Sequence, residues 1–590
     1  MEYVIATSLV KKKIKKNNVY LGNWALDNKS YFSSKKSKIK PFIWENKKKF
    51  EKDSLYIKKT CKKFYKIISL SLNQTHKSKF SKRFWKILLF PWLYYYISSL
   101  YFRWETIKKI KNKSSIFIFK KNFNKYITSR LSDVYLIVDD NWNQKIFQDI
   151  VLFQKKKFIF QKDKAEITNN FKIKFNLKKI FFIFLPNIFF KFLNYLISKK
   201  KTKKFLFIQT SYPKSFFSFF FKRSILINYF YYFLNRVNIF FVNTGNLNFY
   251  LREKFSINFY KKKITKNSFE KFIIKKVTED LPSYLLEEFH NYLHRYLKFT
   301  NSRFIITSYA IFNKLPNKFY IAEQINRGSK LYLLEHGGSL AAKKDYLDLD
   351  LDLVDKKITW HKPFNNKETR IPTHPFHYHK ELCSKSIDYS NNSKCIIAGG
   401  GDYKHIYHNS YYIKAPQIIY QLNSIKKFYK FLDIKIQQNT FIKPHEVWTK
   451  DFSFDYINFY KKIFKKNIIR HTRLEKCINS AKIVVCVYPQ TTFSNAMYSE
   501  VPTILFFNKD HYIFHDKFSK LIQQLVKNKI IFYDPRLAAI HLNAIWKNPY
   551  DWYNSYEVKK VRNLFLKDAL SIVYPRNIKE EEKNWKNIFS

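Results

Sequence analysis

Glu335-His336-Gly337-Gly338 closes the apolar run KLYLL in a chain of 590 residues that contains only eight glycines. Six of the eight fall in one stretch, as Gly328, Gly337, Gly338, Gly399, Gly400 and Gly401. Glycine is needed where φ is positive or where backbone must approach a ligand closely. Two glycine groups, each directly behind an apolar run, therefore point to phosphate-cradling loops rather than to ordinary turns. His336 stands in the first of them. An imidazole titrates near ~6.5, so it can take a proton from a hydroxyl or donate to a phosphate at neutral pH.

The second half of the chain supplies facing groups. NTFIKPHE places Lys443 and His445 just beyond another apolar run, a cation and an imidazole suited to a diphosphate. VYPQTTFSNA sets Thr491, Thr492 and Ser494 at a strand-to-helix junction, where hydroxyls cap the helix and its amide dipole faces an anion. A competing arrangement is Asp348, Asp350 and Asp352 in DYLDLDLDLVD, at an Asp-x-Asp spacing that can hold Mg²⁺ or Mn²⁺. A period of two puts all three on one face of an exposed strand, a common solvated pattern, and no metal site is assigned to them.

Strand ends must carry these residues. YVIATSL and VYLGNWAL read as short strands, residues 45–130 as helical, and VYLIVDD (134–140) as a strand ending in carboxylates. KKFLFIQTSYP and VNIFFVNTG repeat the strand-then-turn theme. The helical LPSYLLEEFHNYLHRYLKF precedes the strand RFIITSY, and the helical NKFYIAEQINRGS precedes KLYLLEHGG. From about Asn392 a second set begins with KCIIAGGGDY, and the basic, turn-rich stretch 361–392 reads as the linker between the two. This alternation predicts an α/β protein of two tandem Rossmann-like, doubly wound domains facing a cleft. Ligands in such sheets lie beyond the carboxyl ends of the strands, where helix N-termini present free amides.

Composition narrows the partners. The net charge is +66, with 110 Lys and Arg against 44 Asp and Glu. A potential of that sign attracts nucleic acid or an anionic membrane leaflet. No base-reading motif accompanies it and the basic residues are spread through every segment, so no specific nucleic-acid partner is expected. Peripheral contact with anionic membrane remains an expectation. Five cysteines without CxxC spacing fit a reducing compartment, and the N-terminus lacks the pattern of a signal peptide, so the expected location is cytoplasmic. Two apolar segments, Phe84–Phe102 and Ile180–Ser198, approach the ~20 residues of a membrane span. Both read as buried or interfacial helices.

Longer stretches bring a resemblance. IATSL, YLGNWAL, RFWKILLFPWLYYYISSLYFRW, LEHGG, DKKITW, IKPHE, TTFSNAMYSEVPTILFF and LAAIHLNAIWKNPYDWYNSYEVKKVRNLF are similar to a bacterial family of transferases from surface-polysaccharide gene clusters. Its architecture resembles the glycosyltransferase-B fold. The resemblance implies an acceptor-side α/β domain with a helical insertion over 1–375, a donor-nucleotide α/β domain over 385–560 and a helical tail over 561–590. It implies metal-independent transfer of an activated sugar to a glycan or lipid-linked acceptor at the inner face of the cytoplasmic membrane, with no cofactor beyond the nucleotide-sugar donor. His336 would be the catalytic base. Gly337, Gly338, Gly399, Gly400, Lys443, His445, Thr491, Thr492, Ser494 and Asn495 would hold the donor and its phosphates. Alternatives are polyol-phosphate transfer from a CDP-activated donor and a non-catalytic basic protein of the membrane surface. The chain departs from the family pattern at Asn495, usually glutamate, at Ser339, usually aromatic, and at His361, usually glycine.

Overall fold

The computed structural model describes residues 2–10, 18–26, 38–120, 137–161, 203–208, 248–261, 267–296, 302–313, 315–337, 352–379, 393–409, 413–445 and 453–590. Fifteen strands form three five-stranded sheets among these residues. Sheet 1 comprises β1 (Tyr3–Ile5), β2 (Asn18–Tyr20), β3 (Lys38–Ile39), β4 (Ser115–Phe119) and β5 (Phe158–Gln161), in the order β3-β2-β1-β4-β5. Sheet 2 comprises β6 (Lys203–Ile208), β7 (Ser302–Thr307), β8 (Lys330–Leu334), β9 (Lys356–Thr359) and β10 (Glu368–Arg370), in the order β10-β9-β8-β7-β6. Sheet 3 comprises β11 (Cys395–Ala398), β12 (Thr440–Lys443), β13 (Ile483–Cys486), β14 (Thr503–Phe506) and β15 (Ile531–Phe532), in the order β12-β11-β13-β14-β15. Every pairing is parallel.

The α/β class with parallel sheets is as the alternation predicts. The N-terminal part differs in detail, holding two sheets where the sequence suggested one. The reason is local. β3 has two residues and β10 three, too short for a period to show, and β4 follows directly on a helical pattern. The stretch read as a linker thus supplies the edge strand β10. Of the strand read in VYLIVDD, residues 134–136 lie outside the described residues, and Asp139 caps the helix Asp140–Phe153, accepting from the amides of Asn141 and Trp142 at 2.8 and 3.1 Å. Val237–Gly245 and Ile180–Ser198 lie outside the described residues.

Alternation along the strands sorts the core. Ile305, Leu331 and Leu333 face a cluster shared with Val4, Ile5, Ile116 and Ile118 of sheet 1. Phe304, Ile306, Tyr332 and Leu334 face a second cluster shared with Ile396, Val484, Cys486 and Leu505 of sheet 3. The middle sheet is therefore buried on both faces, as parallel sheets are. Helices α1 (Lys47–Thr75) and α2 (Lys82–Lys108) fill the first cluster. The segment Phe84–Phe102 lies inside α2, where Trp85, Leu88, Leu89, Leu93 and Ile97 are buried. A helix apolar all round is explained here by burial all round, and no described helix is long and apolar enough to cross a membrane. The tail returns to sheet 2, where Phe589 stacks on Tyr332 at 5.4 Å.

Candidate functional site

β8 delivers the His-Gly turn. Its end is tied to β9, because the Glu335 amide donates to Ile358 O at 2.9 Å and the Glu335 carboxylate accepts from the Trp360 amide at 2.6 Å. The His336 side chain stands exposed beyond the strand, its ring 5.3 Å from that of Tyr309. Tyr309 follows β7, where the Thr307 hydroxyl accepts from the Ala310 amide at 3.0 Å. Gly337 has φ +74°, a left-handed conformation that glycine adopts at little cost. Gly338 and Ser339 lie outside the described residues.

Gly337 meets the other half of the molecule. A Cβ placed on it would stand 2.7 Å from Thr491 Oγ1. Thr491 opens the helix Thr491–Tyr498, whose N-cap Gln490 makes no side-chain cap. Glycine is thus required by backbone angle and by close approach at once. The two loops that the sequence set apart by more than 150 residues stand face to face at an open helix N-terminus, the backbone feature that receives anions.

The helix face that presents Thr491 continues through Ser494 and Asn495, three and four residues on. Ser494 Oγ and Asn495 Oδ1 are buried and unpartnered. Thr492 points elsewhere: it is buried, and its hydroxyl is 2.8 Å from that of Tyr488. Lys443 ends β12 nearly buried and lies close enough to Cys477 to oppose the burial that raises that thiol's pKa. His445 is exposed and its carbonyl accepts from the Tyr456 hydroxyl at 2.7 Å. β12 and β13 flank β11 on opposite sides. Ala398 of β11 pairs with Lys443 on one side and with Cys486 on the other, so two strand spacings put Lys443 roughly 10 Å from Cys486, the last residue of the strand that leads to Thr491.

Gly399 and Gly400 serve packing. The Gly399 amide donates to Lys443 O at 2.9 Å within the sheet. A Cβ there would stand 2.9 Å from the Tyr460 hydroxyl, and one on Gly400 would stand 2.2 Å from Gln421 Oε1. His361 is buried and stacked on Phe364 at 4.4 Å. Of the three aspartates, Asp348 and Asp350 lie outside the described residues, and Asp352 pairs with Lys62 at 3.3 Å.

A cluster that motif reading missed ties sheet 1 to the loop after β11. Asp140 accepts from the Ser8 hydroxyl at 2.7 Å, lies 2.6 Å from His405 Nε2 and pairs with Lys404. Against the upward push of burial, the Lys404 ammonium and the His405 ring hold the Asp140 carboxyl well below its usual range. The buried Arg103 of α2 donates to Ile406 O at 3.1 Å, fastening the same loop. Only the two adjacent carboxylates of VDD hinted at this.

The sequence pattern of the LIC12162 family transferase matches residues 3–589. The chain belongs to this family. It is accordingly a transferase, and the parallel α/β architecture above is the family's fold in this chain. No curated protein matches the sequence significantly. Among solved structures, the wall teichoic acid polymerase TagF is similar over 51% of this chain and 84% of its own, at 10% identity and a TM-score of 0.28. A UDP-forming α,α-trehalose-phosphate synthase from Burkholderia xenovorans is similar over 52% of this chain and 78% of its own, at 10% identity and a TM-score of 0.27. At these scores neither structure assigns a residue or an activity to the family member described here.

Proposed function

We propose that this transferase moves a sugar from a nucleotide-activated donor to a hydroxyl of a glycan or lipid-linked acceptor during surface-polysaccharide assembly. The observation that carries the proposal is the meeting of Gly337 with Thr491. It sets an exposed imidazole on one strand end opposite an open helix N-terminus on another.

In this reading His336 takes the proton of the acceptor hydroxyl as its oxygen attacks the anomeric carbon. The bond from that carbon to the donor's diphosphate breaks, and the diphosphate leaves with the electron pair. The charge gained by the leaving group falls on the amides of the Thr491 turn, with Lys443 and His445 along the same sheet edge. Preorganised donors of this kind need no reorganisation during the step. The basic surface suits an acceptor held at an anionic leaflet.

Two measurements test this. A panel of UDP, GDP, CDP, ADP and dTDP is expected to contain at least one nucleotide that raises the melting temperature, since a ligand of the native state stabilises by mass action. If none of the five does so, the proposal fails. With the nucleotide known, His336→Gln should lower turnover by roughly 10²–10⁴-fold and keep nucleotide affinity, and wild-type turnover by that variant sinks the base assignment. A phosphodiester in the product instead of a glycoside would convert the reaction to polyol-phosphate transfer.

A further inference from the structure

The helix Phe249–Tyr260 is apolar on two sides. Arg252, Phe255 and Phe259 turn inwards: both phenylalanines are fully buried, and Arg252 pairs with Glu287 at 2.7 Å. At 3.6 residues per turn, Phe249, Tyr250, Glu253, Ile257 and Tyr260 fall on the opposite side. There Phe249 is 77% exposed, Tyr250 74%, Tyr260 52% and Ile257 49%. A helix that only packs on a core turns polar residues outwards. This one turns out two rings in its first turn and a third in its last, with Glu253 as the acidic exception.

The apolar surface continues beyond the helix. Phe249 and the exposed Leu152 line one groove of about 750 Å³, together with Lys275. Leu152 belongs to the last turn of the helix Asp140–Phe153, after which the chain passes through Lys155 and Lys157 into β5. β5 is an edge strand of sheet 1, and its Phe158 and Phe160 are both exposed. Their rings are 5.2 Å apart, and the Lys120 ammonium stands 5.6 Å over the second. A contiguous exposed surface of this kind marks an interaction face, unlike apolar residues scattered singly.

Charge decides what meets it. Lys155, Lys157, Lys254, Lys261 and Lys275 border the face, and none of them forms an ion pair among the described residues. Lys276, buried behind them, is by contrast paired with Asp149 at 2.7 Å. The sequence adds Lys262, Lys263 and Lys266 directly after the helix. A second copy of the chain would bring the same unpaired cations face to face, at a cost in repulsion. An anionic leaflet offers both partners at once. Its headgroups attract the lysines, and the boundary between headgroups and acyl chains takes the apolar face of a helix lying in the plane of the membrane.

We propose that the helix Phe249–Tyr260, with Leu152 and the edge of β5, is the surface by which this protein rests on an anionic membrane leaflet. The contact involves no donor, so it stands or falls separately from the transferase reading above. The test is flotation of the full chain with vesicles of phosphatidylcholine and of an equimolar mixture of phosphatidylcholine and phosphatidylglycerol. The wild type should float with the mixed vesicles and far less with the neutral ones. A chain of net charge +66 is drawn to anionic lipid through any face, so the deciding variants keep the charge. Phe249→Ser with Tyr250→Ser should weaken partitioning at least about 10-fold at an unchanged melting temperature. Ile257→Ser with Tyr260→Ser should do the same, and is read alone where the first pair lowers the melting temperature. Leu537→Ser with Ile540→Ser, a similarly exposed pair on the helix Pro535–Ile545, should leave partitioning as it was. The assignment is overturned if the wild type does not float with the mixed vesicles, if both pairs on the proposed face float as the wild type does, or if the Leu537 and Ile540 pair weakens flotation equally. It is also overturned if the wild type is a dimer that the serine pairs break without changing flotation, which makes the face a contact between copies. Nucleotide binding that survives a failed flotation leaves the transferase reading intact.

Discussion

Two glycine turns look alike in the sequence and differ in kind. Gly337 has positive φ and faces Thr491 across the junction of the two halves, with its neighbour His336 exposed. Gly399 and Gly400 have ordinary backbone angles, and their missing side chains make room for Tyr460 and Gln421. The Gly399 amide is spent on the sheet, and Gln421 Nε2 is held by Val487 O at 2.8 Å. One turn is shaped for what lies across an opening; the other is shaped for the interior behind it. A strand ending in glycine thus marks close approach without saying whether the approaching atom is a ligand's or the protein's own.

Substitution can separate the two. The largest effect is expected at the open turn, where His336→Gln should lower turnover by roughly 10²–10⁴-fold, the usual contribution of a general base. Unchanged turnover would move the proton transfer away from this strand end. Next comes Gly337→Ala, which adds a Cβ against Thr491 Oγ1 in a strained conformation. It should cost on the order of 10²-fold in turnover through displaced geometry, beyond what the roughly 1–2 kcal/mol of left-handed backbone strain takes from the melting temperature, and Gly337→Ala with Thr491→Gly should recover part of the turnover. If the double variant recovers nothing, the cross-junction contact is not what the glycine protects.

The closed turn should show the opposite pattern. Gly400→Ala forces Gln421 off Val487 and should destabilise by about 1–3 kcal/mol as overpacking does, seen as a lower melting temperature with nucleotide affinity intact. Loss of affinity without loss of stability would make the two turns alike after all.

The smallest effect, per pH unit, is a control on both. Burial pushes the rings of His76 and His541 down to about 4. Below an ordinary value of ~6.5 the unfolded chain therefore binds protons that the native state refuses. Their contribution to stability is complete above that pH and is lost towards pH 4, at roughly 1 kcal/mol per unit for each ring. Melting curves from pH 7 to 4 should fall accordingly, and a flat profile would show that neither ring is held neutral. That loss of fold must be subtracted before any acid decline in turnover is assigned to the exposed His336.

Much of the frame was legible. β7, β8, β11, β13 and β14 are apolar runs bounded by turns, and a parallel strand buried on both faces has to be such a run. The helix Thr491–Tyr498 and the strand before it were readable for the same reason. The Asp140 cluster was not. Asp140 gains its meaning from Ser8, Lys404 and His405, more than 100 residues away on either side, and it opens a helix capped by Asp139 rather than closing a strand.

Local pattern therefore determined the parallel α/β class, the strand ends that carry His336 and Thr491, and the scarcity of glycine that drew the eye to both turns. Periodicity and backbone freedom act over a few residues, so the sequence displays them directly. Tertiary structure alone decided that the strands form three sheets, that Gly337 faces Thr491 while Gly400 faces Gln421, and that Lys404 pairs with Asp140. Those outcomes depend on which distant segments share a volume, and that is set by packing of the whole chain.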